Sequence, residues 1–329
     1  MAPRPDLCDC EYGPSALRRA TCCRYSVIVC THNRGELIER CLQAVIREAK
    51  NTCALGEIVV VDNASTDSTR ERIEGHVRET GNGPPIRYDF VPEANLCLAR
   101  NRGITLAEGE ILIFLDDDAF PVSGWLASCL DAFEKFPKAC AVGGEVRPLL
   151  QTSAPLWFRP PLSGLYTITD FGGTDIRAFP RRRHPVGANM AFRRHVFDHW
   201  RFSTLLGRSG AGLMSGDEAE LFAAVDRGGG EVLYVPAMAV DHLIHSDRLT
   251  EKWVRRRFFF DGVSRAGMRL TFSARIVVFI RMAGRAFLLL LLWPFVRTPF
   301  RRLVWQCSLL KCVGYFGQLA RVARFTPWF

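Results

Sequence analysis

Five apolar residues in unbroken succession, Ile111-Leu112-Ile113-Phe114-Leu115, run straight into three carboxylates, Asp116-Asp117-Asp118. A run so short and so apolar reads as a strand buried on both faces, of the kind found in the middle of a parallel sheet. The acids then sit at the carboxyl edge of that sheet, where open α/β folds take their ligands. Like charges packed this closely repel one another unless a positive partner holds them. A hard divalent cation is the natural partner. Mg²⁺ or Mn²⁺ takes carboxylate oxygen on one side and keeps its other positions for water and phosphate, so the run points to a site for a metal-bound diphosphate. Taken alone, three acids are equally a solvated turn, and the rest of the chain decides.

That rest alternates. Tyr25 to Cys30 reads as a strand ending in Thr31-His32-Asn33-Arg34, and Glu36 to Lys50 carries a helical period. A second strand, Glu57 to Val61, ends in Asp62-Asn63-Ala64-Ser65-Thr66-Asp67, where Ser65 or Asp67 can cap a helix beginning near Ser68. A weaker third strand, Ile86 to Phe90, leads to a helix start near Asn95, and then comes the strand into the acids. Four strand-helix repeats predict a right-handed, mostly parallel sheet with its polar turns gathered on one edge.

At 329 residues, 48% hydrophobic and 23% charged, the chain is long enough for one large α/β domain with an appendage. The net charge of +9 suggests an acidic partner, but from Arg248 onward sixteen Lys and Arg face two acids, which leaves the first 247 residues at −5. The basicity belongs to the tail. The 12 cysteines show no zinc-ribbon spacing; Cys30, Cys97 and Cys140 lie in or beside apolar runs, and Cys8, Cys10, Cys22 and Cys23 have no histidine nearby to complete a metal knot. A reduced, cytosolic setting fits. The first residues lack the apolar core of a signal peptide, so the chain is expected to start on the cytosolic side.

The succession Ser26 to Arg34, Val59 to Asp67, Ala99-Arg100-Asn101-Arg102-Gly103 and Phe114 to Asp118 closely resembles the nucleotide-diphosphosugar glycosyltransferases of family 2. The likeness continues through Gly187 to Arg194, Ser215 to Leu221 and Val235-Pro236 to His242. It implies a GT-A type α/β fold, a Rossmann-like mostly parallel sheet with helices on both faces. A domain over 23–247 is expected, its nucleotide half about 23–120 and its acceptor half about 121–247, after a polar N-terminal extension at 1–22.

The resemblance also implies roles. Thr31, Asn33 and Arg34 line the donor pocket; Asp62 and Asn63 hydrogen-bond the base; Arg100 approaches the base or the phosphates; Asp116 contacts ribose, with Asp117 beside it; Asp118 and His242 meet the Mg²⁺ or Mn²⁺. The catalytic base is Glu218 or Asp217. The commonest family form has Glu-Asp where this chain has Asp217-Glu218, and position by position the base falls on Glu218. Between Arg147 and Pro185 a segment rich in Pro, Gly and aromatics is the candidate acceptor loop, and Arg181-Arg182-Arg183 in it is a charge run able to grip phosphate. The expected activity is inverting, metal-dependent transfer of a sugar from a nucleotide-diphosphosugar donor to a glycan or lipid-linked acceptor. A sugar nucleotidyltransferase would carry a glycine-rich loop with Arg and Lys after the first strand, where this chain has Cys30 to Arg34. A non-catalytic nucleotide-sugar-binding scaffold is the other alternative.

The tail, 248–329, is basic and apolar. Ile276 to Val296 is interrupted by Arg281 and Arg285, and its unbroken part, Ala286 to Val296, is short of the roughly 20 residues a span requires. Leu303 to Ala320 contains Lys311 and two glutamines. Both segments read as helices lying in the cytosolic face of an anionic membrane, peripheral or monotopic, with a re-entrant hairpin or a helical pair packed on the domain as alternatives. No nucleic-acid partner is expected.

Overall fold

A computed structural model describes residues 24–79, 83–180, 183–205, 213, 216–268 and 272–320. The N-terminal cysteines, Arg181, Arg182 and Ser215 lie outside the described residues. The chain opens with β1 (Tyr25–Thr31), α1 (Gly35–Lys50), β2 (Gly56–Asn63), α2 (Thr69–Glu79), β3 (Ile86–Val91), α3 (Leu96–Leu106) and β4 (Ile111–Asp116). Then come β5 (Ala119–Pro121), α4 (Trp125–Lys135), the long β6 (Ala139–Leu150), β7 (Arg177–Ala178), β8 (Met190–Arg193), α5 (Val196–His199), α6 (Asp217–Arg227) and β9 (Glu231–Ile244). The tail forms α7 (Glu251–Gly267), α8 (Phe272–Leu292) and α9 (Pro299–Leu319).

The strands make one sheet in the order β3-β2-β1-β4-β8-β6-β9-β5, with β7 on β9. From β3 to β4 it is parallel, as four repeats predict. Past β4 it is mixed, because β8 joins β4 and β6 antiparallel while β9 runs parallel to β6. The unbroken apolar run of β4 has the predicted cause. Ile111, Ile113 and Leu115 pack with Leu42 of α1 and Trp125 of α4 on one face. Leu112 and Phe114 pack with Ile104 of α3, Phe197 of α5 and Leu221 of α6 on the other. Each large side chain buried this way contributes about 1.5 to 3 kcal/mol. Caps fix where the helices start: Asp67 Oδ1 accepts from Thr69 N at 3.1 Å, and Asn95 Oδ1 from Cys97 N at 3.0 Å. Asn189, wholly buried, donates to Glu145 O and Met238 O and accepts from Trp125 Nε1, tying α4, β6 and β9 together. The described cysteines are free thiols.

The tail divides. Leu303 and Cys307 of α9 pack with Val254 and Phe258 of α7 and with Leu162 and Tyr166 of the 147–185 segment. The two helices cross closely because both are glycine at the contact. A Cβ on Gly262 would stand 2.0 Å from Lys311 O, and one on Gly314 would stand 2.2 Å from Phe259 O. The packed-helix alternative therefore holds for α9. Helix α8 is different: among its residues Met282 is buried, while Ile280, Phe287 and Leu290 are exposed. It continues unbroken through Arg281 and Arg285, since arginine is a good helix former, and the span Phe272–Phe295 is long and apolar enough to cross a membrane by length and composition. The sequence expectation of a segment too short to span is corrected on this point. Gly262→Ala is expected to destabilise the protein by about 1 to 3 kcal/mol, read as a lowered Tm. Gly284→Ala in α8, whose Cβ meets nothing within 4 Å, should not lower it.

Candidate active site at the carboxyl edge of the sheet

Parallel registration brings Thr31 level with Asp62, and Cys30 level with Asp116, so the turns after β1, β2 and β4 meet at one edge. They enclose a cavity of about 390 Å³ lined by the three acids, by Thr31, His32, Arg34 and Asn63, and by Arg248, Trp253 and Arg256 from the tail.

Several side chains expected to face the donor are instead engaged in building this edge. Asn33 sits at φ 52°, a left-handed conformation that asparagine tolerates, and accepts from Thr66 N at 2.7 Å while its own N–H donates to Ser65 Oγ at 2.8 Å. It staples two turns and borders a neighbouring hollow with Arg72 and His245, not the acid-lined cavity. Asp62 is buried, accepting from Ser65 N at 2.9 Å and from Tyr88 Oη at 3.1 Å, and a nucleobase would have to compete for those oxygens. Asn63 lines the cavity, its Oδ1 accepting from Asn95 N at 2.9 Å.

The three acids have three environments. Asp116 is the accessible one, its side chain 31% exposed, and Asp117 and Asp118 are buried. Asp117 accepts from Thr31 Oγ1 at 2.7 Å and Arg34 Nη1 at 2.5 Å; burial, only partly offset by Arg34, raises its pKa. Asp118 is met by Arg34 at 3.0 Å, Arg248 at 3.4 Å and His242 Nε2 at 3.2 Å. Burial acts to raise its pKa, but the His242 hydrogen bond and the charges around it hold it well below the usual carboxylate range.

Arg100 lies elsewhere than expected. It is buried, and reaches neither the cavity nor solvent. Its Nη2 meets Asp116 at 3.3 Å, its Nη1 donates to Asp217 at 2.6 Å and Glu218 at 3.1 Å, and its guanidinium lies 5.3 Å over the Phe202 ring. One planar fork thus joins the donor edge to the paired carboxylates of α6, a geometry a lysine cannot supply. A Cβ on Gly187 would stand 2.0 Å from Arg100 Nη2 and 2.6 Å from Glu218 Oε1, which is why the chain approaches them at a glycine. Burial, then the charge of Glu218, pushes Asp217 up to about 7. Burial acts on Glu218 as well, but Arg100 and the Asp217 hydrogen bond outweigh it and hold it at about 2. Below about pH 7 the proton of this pair rests on Asp217, leaving Glu218 ionised; at 19% side-chain exposure against 5%, Glu218 is the more reachable of the two. Because the folded value of Asp217 lies above its ordinary 3.8, the folded state keeps a proton that the unfolded chain releases between these values. Its contribution to stability is therefore lost as pH rises from about 4 towards about 7. Asp217→Asn should flatten that part of the Tm-against-pH curve.

Among the described residues no three of His, Cys, Asp and Glu gather closely enough to hold a metal alone. Asp118 and His242 nevertheless suit one: their donor atoms converge, and Thr167 Oγ1, 3.2 Å from His242 Nδ1, orients the ring with Nε2 inward. One or two protein ligands completed by substrate phosphates are the usual Mg²⁺ arrangement.

Sequence reasoning missed His32, Arg248, Trp253 and Arg256. The last three were assigned wholesale to a membrane tail, yet Tyr166 Oη donates to Arg248 O at 2.7 Å and its ring stacks on Trp253 at 5.1 Å, seating the start of the tail over the cavity. The 147–185 segment thus supplies the floor beneath α7, and its Tyr166 sets residues that line the site.

The same architecture occurs in solved structures. A mannosyltransferase, PcManGT from Pyrobaculum calidifontis, solved with GDP-Man and Mn²⁺, aligns at a TM-score of 0.58 and 18% identity over 90% of this chain and 87% of its own. GalNAc-T7, solved with UDP, GalNAc and Mn²⁺, aligns at 0.54 and 18% over 77% and 52%. The fold is GT-A, and a protein of this class with curated transferase relatives is an enzyme, a glycosyltransferase. Residues 26–201 match the family model described as glycosyl transferase family 2, and the chain belongs to that family. The succinoglycan biosynthesis protein ExoM of Rhizobium meliloti is 30% identical over 71% of this chain and 71% of its own. A glucosyl-dolichyl phosphate glucuronosyltransferase of Haloferax volcanii is 26% identical over 76% and 78%.

Proposed function

We propose that the chain transfers a sugar from a nucleotide diphosphosugar to a hydroxyl of a glycan or lipid-linked acceptor, with inversion, at the cytosolic face of a membrane. The observation that carries this is the Arg100 fork, which sets Asp116 at the donor edge and Glu218 on the acceptor side one guanidinium apart. Glu218 takes the proton of the incoming hydroxyl, and a single base acting opposite the leaving diphosphate inverts the anomeric centre. Asp116 meets the ribose. Arg248 and Arg256, lining the same cavity, face the diphosphate as permanent cations, and Asn63 faces the base. Asp118 and His242 would hold a divalent cation, which would supply Lewis-acid stabilisation of the departing charge; the Mn²⁺ found in PcManGT and GalNAc-T7 supports that choice. The catalytic body begins near residue 23, and its functional boundary falls after α7, not at residue 247, since Arg248 and Trp253 line the cavity. Helix α8 and the basic residues around it make the membrane contact.

Turnover of UDP-, GDP- and dTDP-sugars by the full chain, with Mn²⁺ and with a chelator, tests this reading. One donor is expected to be hydrolysed or transferred with Mn²⁺ and to fall at least about 100-fold in the chelator; metal-independent turnover would remove the cation from the proposal.

A further inference from the structure

Between α7, α8 and α9 lies a further hollow of about 310 Å³, apart from the acid-lined cavity. Ile276, Phe279, Tyr315 and Leu319 wall it, and Arg265 and Arg275 stand at it. Ile276 and Phe279 are themselves exposed, so the hollow is continuous with the outer apolar surface of α8. Its charge is one-sided. Among the described residues the lining holds two arginines and no carboxylate, and the neighbouring Asp261, 3.6 Å from Arg265, is shared with Lys311. Ala266 and Met268 complete the described wall, and Met268 Sδ lies 4.0 Å from the place a Cβ on Gly216 would take. Gly216 precedes the first turn of α6, and Glu218 is the second residue of that turn. A basic, apolar hollow, open to the membrane-facing helix on one side and walled on the other by Met268, beside the residue that precedes the base-bearing helix, matches a molecule with an apolar chain, an anionic link and a hydroxyl-bearing head.

We infer that this hollow receives the phosphate and the adjoining hydrocarbon of a lipid-linked acceptor, whose sugar hydroxyl is thereby presented to Glu218. The inference rests on the transferase reading above and narrows its acceptor to a phosphate-linked lipid. A bilayer phospholipid offers the same pairing of phosphate and hydrocarbon, so the test separates the two. Full-length protein in nonionic detergent is titrated with farnesyl phosphate, farnesol, inorganic phosphate and phosphatidylglycerol. The variants are Arg275→Gln, at an exposed position, and Ile276→Trp, which fills the hollow.

Wild-type protein is expected to bind farnesyl phosphate at least about tenfold more tightly than the other three probes, and each variant to lose about tenfold or more of that affinity. Donor hydrolysis to water should be unchanged in both. Equal binding by wild type and variants overturns the inference, as does phosphatidylglycerol binding as tightly as farnesyl phosphate, which would mark a general anionic-lipid site. Absent discrimination among the four probes in the wild type, with donor hydrolysis intact, sinks the hollow alone. Absent hydrolysis in the wild type sinks the transferase reading, and the acceptor role of the hollow with it.

Discussion

Glu218→Gln is expected to lower turnover about 100- to 10,000-fold while leaving nucleotide and cation binding close to wild type. The amide keeps the shape of the side chain and can still receive Arg100 Nη1, which stands 3.1 Å from Oε1, so the fork and Asp116 stay in place. What disappears is basicity at the more reachable member of the pair. Asp217→Asn is the informative partner, because its amide imitates the protonated carboxyl that already donates to Glu218. Its turnover should stay within about tenfold of wild type. If that variant is dead while Glu218→Gln is active, the roles of the two carboxylates are exchanged.

Asp118→Asn should cut transfer at least about 100-fold, since the cation loses its charged ligand. The substitution also leaves Arg34, Arg248 and His242 around a neutral group, and breaking a buried ion pair costs about 3 to 5 kcal/mol. A lowered Tm is therefore expected alongside, and activity alone does not isolate the metal role. The decisive measurement is nucleotide affinity with and without Mn²⁺. The metal-independent part should persist in a folded variant and the Mn²⁺-dependent increment should vanish. An undiminished increment would show that the cation is held elsewhere.

The fold was legible where its causes are local. Both-face burial of Ile111 to Leu115, the Asp67 and Asn95 caps, and the helix from Asp217 to Arg227 all follow from side-chain period and hydrogen-bonding chemistry within a few residues. The convergence of Asp116 to Asp118 with the turn after β1 followed from parallel topology. Arg100 was not legible, because its meaning depends on residues 16, 117 and 118 positions away. Asn33 and Asp62 show a related limit: turn residues satisfy each other's backbone before they meet a ligand, and nothing in the linear order says which do so. In the tail, α8 and α9 are both apolar and basic and look alike in sequence. The Gly262 and Gly314 crossing, which turns one inward and leaves the other outward, exists only once α7 is in place.

The position of Met268 beside Gly216, the residue before α6, also sets a working height. Met268 and Phe272, where α8 begins, are four residues apart, and four residues reach at most about 14 Å when fully extended. A protein that rests α8 in a bilayer therefore keeps Met268, and the start of α6 beside it, within a short reach of the surface, like a tool on a fixed stand. An acceptor hydroxyl far out on a long glycan would pass beyond that reach, whereas one close to its lipid would sit at the right level. Such a protein would extend acceptors near their root and release them once they outgrow it, so chain length would be limited by geometry without any residue that counts sugars.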